Sequence, residues 1–167
     1  MSDELKIEAA GVVDDGKNLV VTLSLRNESD TTLHVNTRLR ALWYDPATRV
    51  LTVRLAETGL ADPPWETWKV LPILTAVDPQ GTATIVLRLS RYLTKLEPGD
   101  EMGPKVVQLA AHEAEEIDVT AAWSDKPFYP DPREKQSWRK QMSAWQRGEA
   151  RTRVRRDKEP KGKEVEE

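Results

Sequence analysis

The chain has 167 residues, no cysteine and a formal net charge of −3; hydrophobic residues make up 38% and charged residues 32%. That length bounds it to one domain, or one domain with an appendage, and the charge-rich balance places part of the chain outside a packed core. The lack of cysteine excludes disulfide scaffolds, thiolate zinc sites, iron–sulfur clusters and cysteine nucleophiles.

The opening MSDELKIEAAG has no basic start followed by an apolar run, so it does not read as a signal peptide. No apolar stretch approaches the roughly 20 residues that a spanning helix needs. The expectation is a soluble, cytoplasmic protein with no transmembrane segment. The net charge hides an asymmetry. Residues 1–124 carry 12 basic and 19 acidic side chains, whereas residues 125–167 carry 13 basic and 9 acidic; within 133–156 the balance is nine to two. Such a split points to a compact body and a functionally different tail.

In chain order, the body alternates with period two, the mark of half-buried strands. Residues 18–26 (NLVVTLSLR) put Leu19, Val21, Leu23 and Leu25 on one face. Residues 32–44 (TLHVNTRLRALWY) read as one strand, with Leu33, Val35, Thr37, Leu39, Ala41 and Trp43 on its apolar face and His34, Asn36, Arg38 and Arg40 opposite. Residues 82–90 align Ala83, Ile85, Leu87 and Leu89, and residues 116–123 align Ile117, Val119, Ala121 and Trp123. Weaker strands are expected at 5–13, 49–56, 67–75 and 105–111.

Turn chemistry separates these runs. Asp14-Asp15-Gly16-Lys17-Asn18 is a hairpin signal. Asp45-Pro46-Ala47-Thr48 and Asp78-Pro79-Gln80-Gly81 place Pro at the second position of a type I turn. Glu97-Pro98-Gly99-Asp100 reads as a further turn, and residues 91–96 as a short helical turn. Residues 57–66 (ETGLADPPWE) are an irregular excursion, since tandem prolines cannot enter a sheet ladder, with Trp65 or Trp68 expected over a sheet edge. Seven or eight strands, with a turn every 8–12 residues, predict an antiparallel β-sandwich over residues 1–124.

After Trp123 the texture changes. Residues 125–132 read as a Pro-rich linker. Asp131-Pro132-Arg133-Glu134 is a helix start, with Asp at N-cap, Pro at N1 and Glu at N3, and Gly148 is its stop. Within that basic helix, 133–148, Trp138, Met142 and Trp145 form one narrow apolar stripe. Residues 149–167 are highly charged and predict a disordered tail.

Little else carries chemistry. His34 lies mid-strand on a polar face, and no GxSxG elbow accompanies either histidine. His112 with Glu113, Glu115 and Glu116 is the nearest approach to a metal cluster, but its spacing matches no zinc pattern. Acidic loops at Asp14-Asp15 and Asp100-Glu101 lack the D-x-D-x-D-G run of a calcium loop. No glycine spacing suits a phosphate loop. No cofactor, metal or catalytic residue is assigned, and the chain is expected not to be an enzyme.

The tail is the exception. Residues 147–156 (RGEARTRVRR) follow two tryptophans; arginine forks match phosphate, and Trp faces stack on bases. The same residues would suit an acidic protein or an anionic membrane. The plainer alternative is that Trp138, Met142 and Trp145 dock the helix on the chain's own sandwich.

The stretch from Leu19 to Asp30, ending Asn27-Glu28-Ser29-Asp30 and followed by Leu33-His34-Val35, resembles the first hairpin of immunoglobulin-like sandwich modules, as does Leu96-Glu97-Pro98-Gly99-Asp100 before the last strands. Such modules include cell-surface repeats and intracellular proteinase inhibitors. The resemblance implies an immunoglobulin-like antiparallel β-sandwich that binds or braces another protein, although fold alone does not define function.

The expectation from these readings is an all-β chain acting as a protein–protein interaction or assembly module. A protein partner or self-association would be met by anchors Trp138, Met142 and Trp145 and by Arg151, Arg153, Arg155 and Arg156, which supply charge complementarity. The alternative is a nucleic-acid-binding accessory protein acting through residues 133–156. An intracellular protease inhibitor and a hydrolase using carboxylates or His112 stand behind these.

Overall fold

The computed structural model describes residues 4–56, 73–129, 131, 133 and 138–156. The chain is predominantly β. Among the described residues there are eleven strands: β1 (Leu5–Asp14), β2 (Asn18–Asn27), β3 (Leu33–Asn36), β4 (Ala41–Asp45), β5 (Val50–Leu55), β6 (Leu74–Val77), β7 (Thr82–Ser90), β8 (Leu93–Asp100), β9 (Gly103–Leu109), β10 (Glu116–Ser124) and β11 (Gly148–Arg155). A 3-10 turn spans Ala111–Glu113, and one α-helix, α1, spans Trp138–Trp145.

Two sheets enclose the core. One has the order β1-β2-β7; the other runs β4-β5-β10-β3-β6, with β11 added on β10. Strand β11 lines one edge of β10 from Glu116 to Trp123. The other edge is shared: β5 pairs with residues Glu116 to Ala121, and β3 with Trp123 and Ser124. The β5–β10 pairing is parallel, a departure from the all-antiparallel expectation. It arises because β5 returns beside a strand far along the chain rather than beside its hairpin neighbour alone.

Alternation sets the core. Leu19, Val21, Leu23 and Leu25 of β2 are fully buried, as are Ile117, Val119 and Ala121 of β10, Leu51, Val53 and Leu55 of β5, and Leu33 and Val35 of β3. Each Leu, Ile or Val among them contributes about 1.5–3 kcal/mol by leaving water. The β1–β2 turn follows its chemistry: Asp14 Oδ1 accepts the Gly16 N–H at 3.0 Å, and Asp15 Oδ1 accepts those of Lys17 and Asn18 at 2.8 and 2.7 Å. Asn27 is wholly buried. Its amide donates to the Thr31 and Val77 carbonyls, and its Oδ1 accepts from the Ser29 N–H and hydroxyl. The Asn-x-Ser motif therefore stitches the β2–β3 corner to the end of β6.

Several expectations are corrected. Residues 32–44 are two strands, not one. Thr37 N–H still follows the β3–β6 register to the Ile73 carbonyl, but Asn36 Oδ1 then takes the Arg38 N–H and the Arg40 N–H goes to the Arg54 carbonyl, so the chain changes partner from β6 to β5 and the facing flips: Tyr44 is buried and Trp43 is 46% exposed. The turn at Asp78 closes through Gly81 N–H to the Asp78 carbonyl, but Gln80 has φ 59°, which is type II geometry rather than type I. Residues 93–100 are strand β8 with a bulge between Glu97 and Asp100, neither helical turn nor loop; the chain reverses at Asp100–Gly103 instead. Residues 57–66, with Trp65 and Trp68, lie outside the described residues.

The largest correction concerns the tail. Residues 148–155 are not disordered but form β11, continuous with the sandwich. The helix ends at Trp145 instead of Gly148, and Gly148 opens a strand instead of capping a helix. The reason is local: the Arg147 N–H already donates to the Trp123 carbonyl, and a Cβ on Gly148 would stand 2.7 Å from the Trp123 ring. Only glycine lets the backbone cross that indole.

Candidate interaction surface

Directly opposed residues on neighbouring strands share a face. The registers therefore place Arg151, Arg153 and Arg155 together on the outer face of the β10 sheet, in rows with Thr120, Asp118 and Glu116. Arg151 Nε donates to Asp118 Oδ1 at 2.8 Å, and its Nη2 reaches Asp118 Oδ2. Arg153 pairs with Glu116 and stands 3.7 Å from Asp118. Arg155 is exposed with no ion pair among the described residues. Arg156 is not on this face; its guanidinium donates to the His112 and Ala114 carbonyls at 2.7 and 3.0 Å, clamping the 3-10 turn.

The predicted apolar anchors also serve the chain's own fold. Met142 and Trp145 are buried, at 3% and 6% exposure. Trp145 packs with Ala56 and Ala122 on the outer face of the sheet, meets Phe128 edge-on, and donates its indole N–H to the Lys126 carbonyl at 2.6 Å. Gln141 ties the preceding segment to the helix through both Asp131 backbone groups. Met142 and Trp145 are therefore not free anchors for a partner. Trp138 opens α1, and its side chain lies outside the described residues. A depression of about 360 Å³ remains where residues Lys126 to Tyr129 cross α1.

The Arg151 hydrogen bond holds the Asp118 carboxyl below its usual value, against desolvation, with further help from the charges of Arg151, Arg153 and Arg54. A carboxylate depressed in the folded state stabilises it above the unfolded value, near 3.9, and that contribution is lost as pH falls through the folded value. Acid titration of unfolding is expected to show stability falling below about pH 4. Asp118→Asn should flatten that fall while lowering stability at neutral pH; an unchanged acid slope in urea titrations would remove Asp118 from the account.

The histidine expected as a candidate acid–base group faces the backbone. His112 Nδ1 lies 3.2 Å from the Arg91 carbonyl, and the ring meets Tyr92 edge-on at 4.9 Å. Arg91 in turn grips Asp14 with two hydrogen bonds. Among the described residues no three His, Asp or Glu side chains converge as metal ligands, and no helix is long and apolar enough to cross a membrane.

One element projects. Strands β8 and β9 form a sheet of their own. Its base is anchored by Leu93 and Leu109, which pack on the core. Its outer part carries Leu96 and Val106 directly opposite one another, 65% and 64% exposed, with Met102 at the tip 92% exposed. The tip is shaped by Gly99, where a Cβ would fall 1.9 Å from the Gly103 carbonyl oxygen. Sequence reading missed this arm. The signal was present in the alternation of Lys105, Val106 and Val107 beside Leu96, but exposure is not written in alternation.

No protein-family model, curated protein or solved structure matches this chain.

Proposed function

We propose that this chain is a non-enzymatic interaction or assembly module built on an immunoglobulin-like sandwich, and that the β8–β9 arm is its contact surface. The strand order supports the first part. The sheet β1-β2-β7 facing β6-β3-β10-β11 corresponds to strands A-B-E facing C′-C-F-G. The hairpins β4–β5 and β8–β9 are then additions to that plan, and additions to a rigid scaffold are where binding is commonly placed. The exposed Leu96–Val106 pair on an isolated two-stranded sheet carries the second part, because such a hairpin is marginal in water without a further strand or a covering surface. Arg151 and Arg153 are already matched by Asp118 and Glu116, which favours the arm over the tail as the contact.

The test compares the full chain with the triple variant Leu96→Ser, Met102→Ser, Val106→Ser. The variant is expected to lose association into larger species, by size-exclusion chromatography of native extract and of purified protein. At concentrations that dissociate the wild-type chain its melting should match wild type, since exposed positions contribute within about 0.5 kcal/mol. Association that survives the triple substitution overturns the assignment of the arm.

A further inference from the structure

We propose that the partner of the arm is a second copy of this chain, joined by antiparallel pairing of β8 with β8 about a two-fold axis at Leu96; this rests on the interaction-module reading above. β8 pairs only with β9, so among the described residues its other edge presents unpaired backbone groups, the usual template for strand addition. Two-fold antiparallel pairing imposes a simple rule: the residue n places after Leu96 faces the residue n places before it in the other copy.

The charges on β8 fit that rule. Lys95 and Glu97 flank Leu96, so each lysine faces a glutamate of the other copy, twice per dimer. Within one chain Glu97 already stands opposite Lys105 and 3.6 Å from Lys95, so the new pairs extend an existing charged row. Leu96 faces its own copy on the opposite side of the sheet. Because Leu96 is opposite Val106 within the hairpin, the four-stranded sheet carries an unbroken apolar row of Val106, Leu96 and the same two residues of the second copy. The two residues are the most exposed apolar side chains of strands β8 and β9.

Pairing through β9 offers less. An axis at Val107 sets Lys105 against Leu109 of the other copy and leaves its charge unmatched. The free edge of β7 has Arg88 as its single charge and no self-complementary pair. Pro98 bounds the β8 pairing, since it has no N–H to donate; it faces Thr94 at the end of the ladder, where water satisfies the remaining carbonyl.

Sedimentation equilibrium of the full chain tests the proposal by charge reversal. The wild-type chain should dimerise. Lys95→Glu alone and Glu97→Lys alone should each weaken dimerisation roughly tenfold or more, because like charges then oppose one another at both pairs. The double variant Lys95→Glu/Glu97→Lys should recover wild-type dimerisation. An equal mixture of the two single variants should give a one-to-one heterodimer, because positions 95 and 97 then carry opposite charges across both pairs. A wild-type monomer, single variants that dimerise normally, or a mixture that stays monomeric overturns the proposal. If a monomeric chain still loses its larger complexes in extract on Leu96→Ser, Met102→Ser, Val106→Ser, the two-fold pairing falls and the module reading stands. If those complexes are indifferent to the arm, both fall.

Discussion

Trp145→Ala is expected to lower the unfolding free energy by about 3–5 kcal/mol, the range for emptying a buried aromatic site. The indole is 6% exposed and lies on Ala56 of the segment after β5 and Ala122 of β10. The two buried supports are alanines, with no side chain to move into the space left behind, and among the described residues only the partly buried hydrophobics Leu74 and Phe128 border it otherwise. The substitution also strands the Lys126 carbonyl, which accepts the indole N–H at 2.6 Å. Trp145→Phe separates the two contributions: it retains most of the ring and removes the donor, with an expected loss of about 1–3 kcal/mol. Urea denaturation of the full chain reads both. A Trp145→Ala protein within 0.5 kcal/mol of wild type would place the indole outside the fold and return it to the role of a partner anchor.

A chain ending at Ser124 is expected not to fold cooperatively. Composition marks residue 124 as the end of a body, but the ladder crosses it. Removing residues 125–167 strips eight consecutive pairings from β10, between Glu116 and Trp123. It takes buried Ala150 and half-buried Val154 from the core. It leaves Asp118, 8% exposed, without Arg151 and Arg153, and a carboxylate near an emptied pairing is costly. It also releases the 3-10 turn that Arg156 clamps. Together these losses are comparable to the roughly 5–15 kcal/mol that holds a domain of this kind. The shortened chain should show no sigmoidal urea transition and no near-ultraviolet circular dichroism. Adding residues 125–167 as a separate peptide should restore part of both signals. A cooperative transition at the wild-type midpoint would make β11 dispensable.

These two results bear on how the chain can be read. Strands β2, β7 and β10 were legible because their inward positions are large and aliphatic. Leu19, Val21, Leu23 and Leu25 need only the local period of two to declare a face. The Asp14–Asn18 turn was legible for the same reason, since its hydrogen bonds span two or three residues. Strand β11 has the same alternation, with Ala150, Thr152 and Val154 inward and Glu149, Arg151, Arg153 and Arg155 outward. Its inward side chains are too small to stand out from a charged composition.

The arm was hidden differently. Leu93, Leu96, Val106 and Leu109 look alike in sequence, yet two are packed at the base and two are exposed. The difference is position along a projecting hairpin, not residue type. For Met142 and Trp145 the helical stripe was plain, and the choice between self and partner was not.

By itself, then, the sequence determined which residues face inward along a strand and where the tight turns fall, because both depend on neighbours within a few residues. Tertiary structure alone decided that Arg151 and Arg153 meet Asp118 and Glu116, that Trp145 rests on Ala56 and Ala122, and that Leu96 and Val106 stand in solvent. Those outcomes are set by which distant backbone edge satisfies a strand's N–H and C=O groups, and local alternation carries no record of that edge.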